Sequence, residues 1–298
     1  MATQVDEDIA IQLRRSAAEV ERALEARLGR LTSFPPRLLE AMRYSVNAGG
    51  KRLRPLLVLW CCELCGGRTE AAMPPAMAIE CVHTFSLIHD DLPALDDDDL
   101  RRGRPASHRR FGEALAILAG DSLHALAFEI LSEDVSQPST SSAMTRELAA
   151  ATGGAGMIGG EVLDLSGAGL PPAVEAVARI HEAKTARLIQ AACRLGGLAA
   201  EADERRMEAI SNYGLALGLA FQVSDDLLDA CGTTEAVGKR TGKDADAGRP
   251  TYPAAVGIEE SRRVACQTAE RAIAALGPFG SAADRLAALA RYVVQRSS

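Results

Sequence analysis

No stretch of this sequence approaches the ~18 consecutive apolar residues that a membrane-spanning helix needs, so no membrane span is expected. The first residues, Met1 to Ala10, lack the basic-then-apolar pattern of an export signal and carry Asp6, Glu7 and Asp8 instead. On that ground the expected location is the cytoplasm. Positive charge is in short supply too. Lys and Arg number 33 against 40 Asp and Glu, for a net charge of −7, and so small a basic complement argues against a nucleic-acid partner. The alternation that marks strands is scarce, and no break along the 298 residues is long enough to be an interdomain linker.

Seven cysteines, an odd number, fit reduced thiols. Cys62 and Cys65 form a CxxC, but the second ligand pair of a zinc site and the βαβ context of a redox motif are both missing. Small buried core residues are the favoured alternative.

What is present is helix-forming sequence, rich in Ala, Leu, Glu and Arg. Met207, Ile210, Gly214, Leu217, Phe221, Ser224 and Leu228 recur at alternating three- and four-residue steps, one apolar stripe on a helix over 206–229. Further helices are expected over 5–30, 36–48, 53–65, 71–91, 113–132, 143–165, 173–200, 258–276 and 282–296. The segment Ser136 to Ser142 reads as a polar surface loop. The expectation is one all-α domain, residues 1–298: a single large multi-helix bundle of antiparallel helices around a central cavity.

Two acidic motifs stand out. In His89-Asp90-Asp91-Leu92-Pro93-Ala94-Leu95-Asp96-Asp97-Asp98-Asp99, Pro93 cannot continue a helix and disfavours the α region at Leu92. A helix should therefore stop near Asp91, and Asp90 and Asp96 can meet across the break. A solvated acidic loop is the common fate of such a charge run. Against it stand the apolar approach from Cys81 to Ile88 and the immediately following Arg101 and Arg102. The second motif is Gln222-Val223-Ser224-Asp225-Asp226-Leu227-Leu228-Asp229. Asp225 and Asp229, at i and i+4, share a helix face about 5–6 Å apart at Cβ, with Gln222 one turn earlier. A core-facing acidic pair is costly unless a cation neutralises it; a solvent-facing trio is the alternative, and the helix alone does not choose between them. Together, the two clusters look like a magnesium clamp on a diphosphate, because hard oxygen ligands suit that ion, which completes its shell with water and phosphate oxygens.

Cations complete the pattern. Gly49-Gly50-Lys51-Arg52-Leu53-Arg54-Pro55 sets three after a glycine pair, without the ending or strand context of a nucleotide P-loop; a basic surface turn is its bland alternative. His181-Glu182-Ala183-Lys184-Thr185 and Gly238-Lys239-Arg240-Thr241-Gly242-Lys243-Asp244 add more. His83 precedes Asp90 by two helical turns and shares its face.

These motifs, with LAGDSL at 118–123 and GRPTYP at 248–253, follow one another from about Tyr44 to Arg296 in the order found in a known family. The chain resembles the trans-isoprenyl diphosphate synthases (polyprenyl synthetases), most of all the bacterial members that make farnesyl diphosphate. The resemblance implies an all-α isoprenoid synthase fold, usually a homodimer, with two or three Mg2+ ions per active site. It assigns isopentenyl diphosphate to Gly50, Lys51, Arg54, His83 and Arg102, and the allylic diphosphate to Arg101, Lys184, Thr185, Gln222, Lys239 and Arg249. Asp90, Asp96 and Asp225 are the main implied metal ligands, supported by Asp91 and Asp229. Asp90, Asp96, Asp225, Arg101 and Lys184 are the implied catalytic set. Two positions depart from the family's pattern: Arg249 stands where it usually has Lys, and Glu161 where it usually has Gln.

The implied reaction is ionisation of an allylic diphosphate (dimethylallyl or geranyl), attack by isopentenyl diphosphate, and loss of a proton, with no side chain an obvious general base. Phe85, five residues before Asp90, and its neighbour Ser86 are the implied chain-length determinants, and a ring there goes with a farnesyl product. Geranylgeranyl diphosphate is the alternative product. A terpene synthase needs only one diphosphate site, and a non-catalytic regulatory subunit should have lost an Asp cluster, so both fit less well.

Overall fold

The helix-forming segments, punctuated by Pro and Gly, fold as helices in the computed structural model, which describes residues 4–231 and 248–295. In chain order these are α1 (Gln4–Gly29), α2 (Pro36–Val46), α3 (Leu53–Leu64), α4 (Thr69–Asp90), α5 (Ser107–Phe111), α6 (Glu113–Glu133), α7 (Pro138–Thr152), α8 (Met157–Gly167), α9 (Val174–His181), α10 (Arg187–Ala199), α11 (Glu204–Cys231), α12 (Tyr252–Val256), α13 (Ile258–Ala275) and α14 (Asp284–Gln295). A π-helical turn, Glu182–Ala186, joins α9 to α10, and a 3-10 turn, Gly277–Ala283, precedes α14. The strand content of the described residues is one two-residue hairpin, β1 (Leu100–Arg101) against β2 (Arg104–Pro105).

Two helix boundaries differ from expectation. Pro138 begins α7 inside the segment read as a loop, because proline at the first helical position gives up an N–H that has no intrahelical acceptor anyway. The helix expected over 143–165 is two, parted at Gly153 and Gly156. A Cβ on Gly156 would lie 2.1 Å from the carbonyl oxygen of Ala151, so the chain turns there with no room for a side chain.

Helices α3, α4, α10 and α11 form the centre of the bundle, with α6 against α4 and α13 against α11. Tyr213, fully buried on α11, donates its hydroxyl to the Leu286 carbonyl of α14 at 2.9 Å. Cys61, Cys62, Cys65, Cys81 and Cys193 are buried. Burial pushes the Cys62 thiol up to about 11 and Cys65 to about 12, so the CxxC pair stays protonated, as core packing requires.

The absence of long apolar runs had argued against a span. By length and mean hydropathy, however, two of the described helices do qualify: α4, at 1.2, and α6, at 1.6. Scattered polar residues break the runs without lowering the averages. Most of α4 is buried, so its apolarity serves the core; α6 is less covered and leaves Ile117 and Leu118 exposed.

Candidate active site

The C-terminal half of α4 opens onto a cavity of about 1050 Å³. Its lining includes His83, Phe85, Ser86 and Asp90 from α4, Gly50 and Lys51 from the loop before α3, Arg54 from its first turn, and Arg101 and Arg102 from the hairpin. Glu161, Lys184, Thr185, Gln222 and Asp225 line it from α8, the π turn and α11. Helix α4 ends at Asp90, as Pro93 predicts. The Asp96 N–H then donates to the Asp90 carbonyl at 2.8 Å, closing the acidic segment back onto the helix end. Asp90 is the last residue of α4, where backbone dipoles already concentrate partial negative charge. Burial, then Glu161 and Asp96, push the Asp90 carboxyl up to about 7 against the pull of Lys184 and Arg101. Asp90, Glu161 and Asp225, all half-buried, line this one cavity, and their carboxylate oxygens are the ligand type that a hard divalent cation of the magnesium class takes.

The opposite wall is basic. Arg52, in a left-handed conformation with φ 49°, is buried and fully committed to the fold: it donates to Glu80, to Glu21 at 3.1 Å and to the Val46 carbonyl. That turn directs Arg54 into the cavity, where its Nη1 lies 3.3 Å from His83 Nε2. Burial pushes Arg54 down to about 10, with Arg102 adding repulsion against the attraction of Glu80 and Asp225. Burial, then Arg54 and Arg102, hold His83 well below the usual histidine range, so the ring is neutral and its Nε2 accepts from the guanidinium. Arg102 occupies the left-handed position of the hairpin turn, φ 54°. A Cβ on Gly50 would lie 2.5 Å from the Arg102 guanidinium carbon, so the glycine is what lets that cation fold over the loop. Arg102 too is lowered, by burial and by Arg52 and Arg101.

On the acidic side each cation has a carboxylate partner. Lys184 Nζ lies 2.6 Å from both Glu161 and Asp164. Burial alone would lower Lys184, but Asp164 and Glu161 outweigh it and the ammonium ends raised. Lys184 and Thr185 are carried by the π turn, a local widening of the helix that re-aims side chains. Two glycines hold this turn. A Cβ on Gly160 of α8 would fall 2.2 Å from the Lys184 backbone nitrogen, and one on Gly218 of α11 would fall 2.5 Å from Ala186 Cα. The Thr185 hydroxyl donates to Gln222 Oε1 at 2.7 Å, and Gln222 Nε2 donates to Asp226 at 3.2 Å, so the amide orientation is set from both ends. Asp226 itself is structural. It is buried, accepts from the Tyr252 backbone N–H at 3.0 Å and lies 3.2 Å from His181 Nε2.

The far end is apolar. Phe85 is buried and lines the cavity, with its ring 4.7 Å from His124 of α6 and 5.7 Å from His89. Met157, Ile158, Val162 and Leu165 of α8 and Phe221 of α11 complete it.

Most of the residues singled out in the sequence therefore meet at one cavity, with several exceptions. Asp91 does not reach it: its carboxylate is 3% exposed and accepts from Arg101 Nε at 2.9 Å. Successive helical side chains point about 100° apart, so with Asp90 turned to the cavity its neighbour turns away. Asp91 holds Arg101 in place. Asp96 and Asp229 do not line the cavity, and Asp96 pairs with Arg249, which also lies 3.9 Å from Asp164. Lys239 falls outside the described residues. Sequence reasoning left the role of Glu161 open and gave none to Asp164. Their spacing of three on α8 was the available signal, but only the fold brings Lys184 between them.

A sequence model of the polyprenyl synthetase family matches residues 35–277. The chain is 44% identical over 298 residues to the farnesyl diphosphate synthase of Escherichia coli (strain K12), covering 97% of this chain and 99% of the other. It is 46% identical over 269 residues to a chloroplastic geranylgeranyl pyrophosphate synthase of Arabidopsis thaliana, covering 88% of this chain and 75% of that one. In three dimensions it is similar to an apo FPP/GFPP synthase from Zymomonas mobilis, with a TM-score of 0.86, 38% identity, and coverage of 97% and 99% of the two chains.

Proposed function

The chain belongs to the polyprenyl synthetase family, and on that premise we propose that it is a short-chain trans-prenyltransferase that condenses dimethylallyl and geranyl diphosphates with isopentenyl diphosphate to give farnesyl diphosphate. One observation carries the reading: a single cavity is lined by carboxylates (Asp90, Glu161, Asp225), by cations (Lys51, Arg54, Arg101, Arg102, Lys184) and by apolar side chains that include the buried Phe85. The acidic wall suits a metal-bound allylic diphosphate, the basic wall a second diphosphate, and the apolar end a prenyl tail.

In this reading Asp90, Asp96 and Asp225, with Asp229 behind, hold two or three Mg2+ ions. When bound, the magnesium supplies charge neutralisation on the departing diphosphate. Arg101, Lys184, Lys239 and Arg249 bind that diphosphate, and Lys184 exchanges Glu161 and Asp164 for phosphate oxygens. The oxygens of Thr185 and Gln222, fixed by their mutual hydrogen bond, present partial negative charge where the allylic cation develops. Gly50, Lys51, Arg54, His83 and Arg102 hold isopentenyl diphosphate so that its double bond faces that cation. The apolar lining excludes water that would quench it. The released diphosphate is the base that takes the proton.

Phe85 closes the tail end about 7.5 Å from Asp90 along α4, from five residues of ~1.5 Å rise, and Ser86 beside it shapes the same floor. The whole of 1–298 acts as one domain, in the cytoplasm, as a homodimer. The exposed Ile117 and Leu118 of α6 suit such a dimer's buried face. Incubation with Mg2+, isopentenyl diphosphate and allylic diphosphates of several lengths, with product-length analysis, tests this reading. Farnesyl diphosphate is expected; mainly C20 product moves the assignment to geranylgeranyl diphosphate, and no condensation at all overturns it.

A further inference from the structure

Beyond the cavity, on the outer side of the acidic segment, Asp97, Asp99 and His108 each offer one ligand atom, and the three atoms lie within 4.8 Å of one another. None of the three lines the cavity, whereas Asp98 between the two acids does. The backbone builds this cluster. Asp97 adopts φ 49° with its N–H on the Leu92 carbonyl at 3.1 Å, which turns its side chain away from the cavity. The Ala106 N–H donates to the Asp99 carbonyl at 2.8 Å, closing the hairpin and setting His108 two residues further on. Arg109 Nε grips Asp99 Oδ1 and orients that carboxylate. The observation that points to a ligand is His108 itself. It is only 5% exposed, yet neither ring nitrogen has a hydrogen-bond partner among the described residues. A buried imidazole with both nitrogens unsatisfied carries the desolvation cost of each without a bond to offset it.

We infer that Asp97, Asp99 and His108 form a divalent-cation site separate from the diphosphate clamp. The two carboxylates supply the negative charge that attracts a divalent ion, partly offset by Arg109 on Asp99, and the imidazole supplies the third ligand atom. The nitrogen donor selects a borderline transition ion of the zinc or cobalt class over magnesium. Asp97 and Asp99 are exposed, so water completes the shell. Such an ion ties the acidic segment to the hairpin and to α5, and so fixes from behind the loop that carries Asp96 and Asp98. The inference does not depend on the proposed reaction, and its test does not use turnover.

The full-length protein, stripped by chelation, is titrated with Co2+ and followed by visible d–d absorption and by metal content after desalting. The Asp90→Asn/Asp225→Asn protein serves as the parent, to take the cavity acids out of the count. One Co2+ per chain is expected in that parent, not displaced by excess Mg2+. Asp97→Asn should weaken it at least ~10-fold, no less than the loss of an outer-shell partner, and His108→Gln should remove the nitrogen-ligand absorption. Asn tolerates the left-handed backbone at an exposed position, so Asp97→Asn tests the site even where His108→Gln does not fold. No Co2+ retained by the parent, displacement by Mg2+, or unchanged affinity in Asp97→Asn each overturns the inference.

Discussion

Burial lowers the cationic groups on both walls of the cavity, and their neighbours then drive the two sets in opposite directions. On the basic wall, Arg54, Arg102 and His83 are all lowered, because desolvation and mutual repulsion exceed what Glu80 and Asp225 return. On the acidic wall Arg101 and Lys184 are raised, because Asp91 in one case and Asp164 with Glu161 in the other more than offset desolvation. The first wall is assembled in advance for an anion that arrives as such. The second is kept nearly neutral; on the proposed function its carboxylates would go to metal and its cations to phosphate when a metal-bound anion arrives. A site for a bare diphosphate and a site for a metal-bound one are thus distinguished by the company their cations keep.

The comparison breaks most readily at the carboxylates. Asp90→Asn or Asp225→Asn should lower turnover at least ~100-fold, as loss of a strong transition-state stabiliser does, and magnesium chelation should abolish it. Steady-state rates check this, and undiminished activity in either variant removes the assigned ligand role. Next is the π turn that aims Lys184. Gly160→Ala should lower kcat about 10- to 100-fold by displacing that turn, while Gly154→Ala, where an added Cβ meets nothing within 4 Å, should change little. Equal effects would mean that the close approach of α8 does not position Lys184.

On the basic wall, Arg54→Ala should raise KM for isopentenyl diphosphate roughly 10-fold, the scale of a charged hydrogen bond, and leave KM for the allylic substrate nearly alone. An equal rise in both would erase the distinction between the walls. The pH response sharpens it further. A cation needs the Asp90 carboxylate ionised, and that group's pKa is raised to about 7. Metal affinity, read by calorimetry, should therefore weaken about tenfold per pH unit below 7. Glu161→Gln removes the largest cause after burial and should move the onset to lower pH; an unmoved profile would show that Glu161 does not act on Asp90. The smallest effect on rate belongs to the apolar end, which neither wall reaches. Phe85→Ala should shift product toward C20 with little change in turnover, and a product that stays at C15 would mean that another residue is the floor.

Much of this was legible in the one-dimensional pattern. The spacing of apolar residues placed α11, Pro93 ended α4 and folded Asp96 back to Asp90, and the glycine pair before Lys51 marked the basic turn. These are local rules, acting through steric limits and helical periodicity within a few residues. Other features follow local rules but were concealed. Pro138 reads equally as a loop breaker or a helix opener, and nothing in the text of residues 173–200 announces a π turn.

The sequence by itself determined that two acidic motifs and three basic ones exist, and that each acidic one lies toward a helix end. Only the tertiary structure decided which charge faces which. It turned Asp91 onto Arg101 and away from the cavity, set Lys184 between Glu161 and Asp164, spent Arg52 on Glu80 and left Arg54 facing the cavity beside His83. Those choices rest on distances between residues far apart in the chain. At such short range, in a low-dielectric interior, ångström-scale differences in separation fix whether a charge is neutralised, raised or left waiting, and no local pattern encodes them.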